Sequence, residues 1–102
     1  MSEKSFVERR FEHDGSALVC RFFEPTLEPG GEYACVWTIG WKDREQRLKA
    51  RGIDGVQALL LAMRSVHSEL VESDAYKAGR LTFLEEGDLG LPPPWEPYVP
   101  EN

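Results

Sequence analysis

Phe6-Val-Glu-Arg-Arg-Phe-Glu-His-Asp-Gly-Ser-Ala-Leu-Val-Cys-Arg-Phe-Phe-Glu24 decides the fold. Two β-rich runs, Phe6 to Glu12 and Ala17 to Glu24, flank His13-Asp14-Gly15-Ser16. Asp-Gly between such runs is a strong hairpin signal, because a type I′ turn needs positive φ at both central residues. A two-residue turn pairs residues whose numbers sum to 29. Val7 then faces Phe22, Phe11 faces Leu18 and Glu8 faces Arg21. One face collects Val7, Phe11, Leu18, Cys20 and Phe22, with Arg9 as its one charged member. The other carries Phe6, Glu8, Arg10, Val19, Arg21 and Phe23.

Working outward, the Pro- and Gly-rich loop Pro25 to Gly31 leads to a second alternating run, Tyr33 to Trp41. Tyr33, Cys35, Trp37, Ile39 and Trp41 share one face. A turn at Asp43-Arg44 pairs residues summing to 87, which sets Ile39 opposite Leu48 and Trp37 opposite Ala50. The alternate side of that fourth strand is the cationic row Arg47, Lys49, Arg51. Two hairpins, each with one apolar face, predict a four-stranded antiparallel meander covered on one side. A pairing of the second and third strands that sums to 55 would put Cys20 opposite Cys35.

Asp54 is suited to cap a helix. Val56, Leu59, Leu60, Met63, Val66, Leu70 and Val71 then recur at helical spacing. That stripe is expected to cover Trp37, Ile39 and Leu48, so truncating Leu60 or Met63 should cost about 2–5 kcal/mol. Leu61 falls off the stripe and is a candidate partner contact. Ser73-Asp74 starts one further turn that ends at Gly79. Arg80 to Leu84 reads as a short fifth strand or extended segment. The fold class is α+β: the meander, one long helix, a short closing segment and a proline-rich tail. Residues 1–91 form a single domain, and residues 92–102 an extended tail holding five of the seven prolines.

Length and composition agree. The 102 residues suffice for one core without metal or disulfide staples. The longest apolar run, Ala58 to Met63, is far below the roughly 20 residues of a membrane span, and no signal-like segment opens the sequence. The expectation is cytoplasmic, with no membrane partner. Net charge is −6, and the asymmetry is informative. Residues 1–51 hold nine basic and nine acidic side chains; residues 52–102 hold three and nine. An acidic domain repels phosphate backbones, so no nucleic-acid partner is expected.

The run Gly52-Ile-Asp-Gly-Val-Gln-Ala-Leu-Leu-Leu-Ala-Met63, followed by Tyr76-Lys-Ala-Gly-Arg-Leu-Thr-Phe83, resembles an uncharacterised family of small bacterial proteins. That family is known only as a domain of unknown function. The resemblance spans roughly residues 6–91. It implies a bacterial source and a compact α+β domain, but no activity and no functional residues.

The residues themselves offer few sites. Arg10, Arg21, Arg47, Lys49 and Arg51 share the outer sheet face. They suit an acidic partner, a nucleotide or a phosphate; equally, they are a solvated face paired with Glu8, Glu12 and other carboxylates. Arg9, on the core face, needs a partner or an edge from which to reach water. Tyr76, Lys77 and Arg80 surround a helix end, where cations meet loose carbonyls. His67 reads as a half-buried helix histidine. Cys20 and Cys35 read as reduced, buried thiols. No Gly-rich phosphate loop, GxSxG, HExxH or zinc spacing is present, so no catalytic residue, metal or cofactor is assigned.

Two functions follow. The first is a non-enzymatic protein-interaction module, homodimeric or immunity-like, with Trp95, Tyr98 and Leu61 as partner contacts. The alternative is a binder of a small anionic ligand, or an enzyme, using the basic outer face. Disordered segments are poor in aromatics, so Trp95 is expected to pack on a folded surface, its own or a second subunit's. The rival is a polyproline ligand awaiting a partner's groove.

Overall fold

A computed structural model describes residues 5–94. The first hairpin forms as read from Val7–Phe22 to the turn; beyond Val7 a bulge pairs Ser5 with Phe23 and leaves Phe6, expected on the outer face, beside the start of the long helix. β1 (Ser5–His13) pairs with β2 (Ser16–Phe23) so that Phe11 faces Leu18 and Glu8 faces Arg21. Asp14 and Gly15 take φ of 51° and 78°, the left-handed pair that a type I′ turn demands.

The loop contains a strand that the alternation did not reveal. β3 (Thr26–Leu27) pairs with Ala34 and Tyr33 of β4 (Tyr33–Gly40). β5 (Glu45–Gly52) runs back along the other edge of β4. Here the register differs by two from the sequence expectation: Trp37 faces Leu48 and Ile39 faces Gln46. The cause is the turn. Four residues, Trp41 to Arg44, connect Gly40 to Glu45, and the Trp41 indole donates to Gln46 Oε1 at 2.8 Å. A slip of two preserves the faces, so the cationic row stays outside. Leu48 remains on the helix side but is exposed, because β5 is an edge strand.

β2 and β4 also pair off the expected register. Cys20 faces Ile39 and Phe22 faces Trp37, so Cys20 and Cys35 are not opposite. Both thiols are free and buried, and burial pushes them up to about 12 and about 11. The Cys35 thiol also donates to the Phe23 carbonyl at 3.3 Å.

α1 (Gly55–Val71) is capped by Asp54, whose carboxylate accepts from the Gln57 amide at 2.8 Å. Its face is rotated from the one expected. Ala58, Ala62, Val66 and Leu70 are buried; Leu59, Met63 and Val71 flank them. Val56 and Leu60, expected in the core, are 78% and 43% exposed. The alanines win because the helix sits close to β5, and leucines facing the sheet would hold the two apart. Trp37 and Ile39 are covered as expected.

α2 (Asp74–Lys77) follows, with Ser73 Oγ accepting from the Tyr76 amide. Gly79 closes it at φ 74°, as the left-handed cap requires. β6 (Leu81–Thr82) then adds to β1 against His13 and Glu12. The sheet thus has six strands, the four of the meander, the expected short closing strand β6 and the unexpected β3, ordered β3-β4-β2-β1-β6, with β5 also on β4. The polar-looking stretch after β6 completes the core: Leu89 is fully buried, and Phe83 meets Phe11 edge-on at 5.7 Å.

Candidate functional site

The five outer-face cations come from three strands, Arg10 on β1, Arg21 on β2, and Arg47, Lys49 and Arg51 on β5, with β4 lying between β2 and β5. Each has a partner on the same face. Glu8 meets Arg21 Nε at 3.2 Å and Arg10 at 3.8 Å. Arg47 lies 5.2 Å from the centre of the Phe23 ring. Glu28, from the loop after β3, takes Lys49 at 2.6 Å and Arg51 at 2.8 Å. Those two hydrogen bonds hold its carboxyl below the usual range. The face is open and nearly flat; a shallow depression of about 360 Å³ reaches only Arg47 and Lys49, beside Val36 and Leu48. This is the geometry of a charge-paired sheet surface.

A larger polar cleft of about 580 Å³ lies where the β1–β2 turn, the β4–β5 turn and the start of α2 meet. Asp14 is its hub, accepting from Arg80 at 2.6 Å and Lys42 at 3.4 Å. Partial desolvation works against the Asp14 carboxylate, but the Lys42 hydrogen bond and the Arg80 charge outweigh it, so its pKa is lowered. Arg80 therefore serves Asp14 rather than helix carbonyls; Tyr76 donates to the Gly87 carbonyl and Lys77 meets Glu72. His13 is buried beside this hub, with Nε2 3.4 Å from Asp14 Oδ2. Its Nδ1 has no hydrogen-bond partner among the described residues. The cleft's charges close on each other, and no group of three His, Cys, Asp or Glu among the described residues is arranged to hold a metal.

The third surface is apolar. Among the described residues, eight large hydrophobic side chains are exposed, and two of them, Phe6 and Val56, meet at the start of α1. Phe6, Pro25, Val56 and Leu59 line a groove there of about 370 Å³, with Glu24 at its rim. Sequence reasoning missed this end because it placed Val56 and Leu60 in the core. The exposed pattern of Ile53, Val56 and Leu60 was legible only once the alanine row was known to face the sheet.

Leu61, the third partner candidate, is half-buried on α1; Trp95 and Tyr98 lie outside the described residues. Arg9 does meet partners on the core side. Its guanidinium donates to the Leu89 and Gly90 carbonyls at 3.1 and 2.8 Å and stacks 4.3 Å from the Phe83 ring centre.

With this α+β geometry in place, comparison supplies the family. The family model of DUF6968, a domain of unknown function, matches residues 7–93. The chain belongs to the DUF6968 family. No curated protein and no solved structure matches it. The match includes both hairpins, α1, and the closing segment through Pro93, so the Arg9 contacts fall inside the DUF6968 domain. No helix among the described residues is long and apolar enough to cross a membrane.

Proposed function

We propose that this DUF6968 protein is a non-enzymatic interaction module that binds another protein through its apolar end. One observation carries the reading: the exposed Phe6 and Val56 line one groove with Pro25 and Leu59 at the start of α1, and the exposed Ile53 stands two residues before that helix. Exposed apolar groups gathered in one place, rather than scattered, mark interaction surfaces. Glu24 and Asp54 border that end, so the fitting partner offers apolar anchors flanked by Lys or Arg. A basic toxin-like protein is one such partner; a second copy of this chain would bring the apolar anchors but set Glu24 and Asp54 against their own kind. The two free, buried thiols suit a reducing, cytoplasmic setting.

The alternative, an anion binder using Arg10, Arg21, Arg47, Lys49 and Arg51, has less support, because these cations are already engaged on an open surface. Affinity capture from the native host, compared across variants, separates the two. Ile53→Asp and Val56→Asp should abolish the captured protein, while Arg47→Glu and Lys49→Glu leave it in place. The reverse pattern overturns the proposal and favours the anion binder. Loss of a homodimer in Val56→Asp, read by sedimentation, identifies the partner as a second copy.

A further inference from the structure

On the edge of β1 away from β2, β6 meets only Glu12 and His13. The chain then turns at Phe83–Glu86 and returns along the open part of that edge as residues 89–92. Pro92 and Pro93 have no N–H to give a ladder, so side chains pin the segment instead. Arg9 Nη1 donates to the Leu89 and Gly90 carbonyls, and His67 Nδ1 donates to that of Pro92 at 2.7 Å. Between this segment, the sheet and α1 lies a cavity of about 280 Å³.

Its walls are apolar: Val7 and Phe22, a facing pair on β1 and β2, Met63 from α1, and Leu91 and Pro92 from the segment. One charge lines it with donors to spare. The Arg9 guanidinium is half-buried and fixed, with Nη1 on two carbonyls and one face on Phe83. Its Nε and Nη2 have no acceptor among the described residues. Glu8 also borders the cavity, but its carboxylate is spent on Arg21 at 3.2 Å and Arg10 at 3.8 Å. The cavity is therefore electropositive. The two unspent nitrogens of a guanidinium form a fork that grips a carboxylate through parallel hydrogen bonds. An arginine already held in place loses little freedom in doing so.

The geometry points to a binding site for a small apolar monocarboxylate in this cavity. The carboxylate takes the Nε and Nη2 donors of Arg9, and the hydrocarbon body lies along Val7, Phe22, Met63 and Leu91. Size narrows the class. Ligand sites run from about 300 Å³ upward, so a short chain or a single ring fits and a larger body does not. Charge narrows it further. Among the described residues no second cation lines the cavity, which disfavours a dianion, and an amine would meet Arg9 as a like charge. The site shares no lining residue with the groove at the start of α1, so this site and the functional proposal stand or fall independently.

Titration of the full chain with hexanoate, followed in proton–nitrogen correlation and methyl spectra, tests it. The Arg9 Nε–H and Met63 methyl signals should shift together along one saturating curve, with a Kd on the order of 1 mM for so small a ligand. Hexanamide has the same shape without the charge and should bind at least about tenfold more weakly. Val7→Trp fills the cavity from an exposed strand position and should abolish the shifts at unchanged melting temperature. Leu91→Trp takes its place should Val7→Trp melt low. The absence of a saturable shift at Arg9 overturns the proposal. So does hexanamide binding as tightly as hexanoate, or binding that survives in a folded cavity-filling variant. Shifts confined to Arg10 and Arg21 also overturn it, by placing the anion on the outer face.

Discussion

Gly52 at the end of β5 lies directly beneath Ala58 of α1: a Cβ at Gly52 would stand 2.6 Å from the Ala58 backbone nitrogen and 2.9 Å from the Gln57 Cβ. A Cβ does not approach a non-bonded heavy atom that closely, and the obstruction is helix backbone, which cannot swing aside. The helix therefore docks against the sheet only because this residue has no side chain. Gly52→Ala should cost about 1–3 kcal/mol, the usual penalty of overpacking. Gly30→Ala, with nothing within 4 Å of the added methyl, should leave the urea midpoint nearly unchanged. Equal midpoints for the two variants would refute the close-docking account.

The same contact dictates which helix residues matter. Leu70 is fully buried and Leu60 is 43% exposed. Leu70→Ala should cost about 2–5 kcal/mol. Leu60→Ala should cost only about 0.5 kcal/mol, as surface changes do. Thermal melts of the two variants decide it, and the order should not reverse.

These residues also show how far the sequence could be read. Asp14-Gly15 names its own turn type, so the first register follows from two residues. Asp43-Arg44 carries no such requirement, and the wider Trp41–Arg44 connection moves the second register by two. The faces survive because strand periodicity is two; the Arg47–Lys49–Arg51 row is therefore where alternation puts it. The Glu28 contacts of Lys49 and Arg51 were not legible, since they depend on where a loop returns in space. The helix face was misread for a different reason. Hydrophobicity ranks Leu above Ala, whereas closeness of approach ranks them the other way. Arg9 was flagged correctly as a charge needing a partner, but its partners are carbonyls eighty residues away, which periodicity cannot see.

Acid should weaken the fold. Glu12 accepts from the Glu85 amide at 2.9 Å, the Thr82 hydroxyl at 2.9 Å and the Leu84 amide at 3.3 Å. The Glu85 hydrogen bond foremost holds its carboxyl below the ordinary value of 4.5. Glu28 is lowered likewise by Lys49 and then Arg51. A carboxyl lowered in the folded state contributes stability that is fully present above its unfolded value and is lost as pH falls through the folded one. Melting temperature should hold above about pH 5 and drop below about pH 4. Glu12→Gln should melt lower at neutral pH and lose part of that acid sensitivity. An unchanged pH profile in the variant would exclude the role given to Glu12.

The turn that Glu12 holds is strained. Leu84 and Glu85 have φ of 51° and 68°, and a non-glycine residue in the left-handed region costs roughly 1–2 kcal/mol. The greater unfolded-state freedom of glycine cancels part of the relief. Glu85→Gly keeps the amide that Glu12 accepts, so it should raise stability by about 0.5 kcal/mol. A loss of stability, read by urea unfolding, would mean the Glu85 side chain itself contributes.

Arg9 is the fastener of the closing segment. Its guanidinium binds two successive carbonyls, at Leu89 and Gly90, and stacks on Phe83. Gly90 completes the fit: at φ 68° its missing Cβ leaves room for the Arg9 nitrogen, which would otherwise be 2.8 Å away. A planar fork with several donors suits this double role, and a lysine ammonium cannot both stack flat and bridge the two carbonyls. Arg9→Lys and Arg9→Met should therefore act alike, freeing residues 83–91 from β1 while the two hairpins and α1 stay packed. Amide hydrogen exchange should show faster exchange at Phe83 and Glu86, whose amides donate to each other's carbonyls at 2.8 and 2.9 Å. Exchange in the centre of β2 and β4 should not change. If Arg9→Lys exchanges as slowly as the wild type, charge alone secures the segment and the planar geometry is dispensable. Faster exchange across the whole sheet would instead make residues 83–91 inseparable from the global fold.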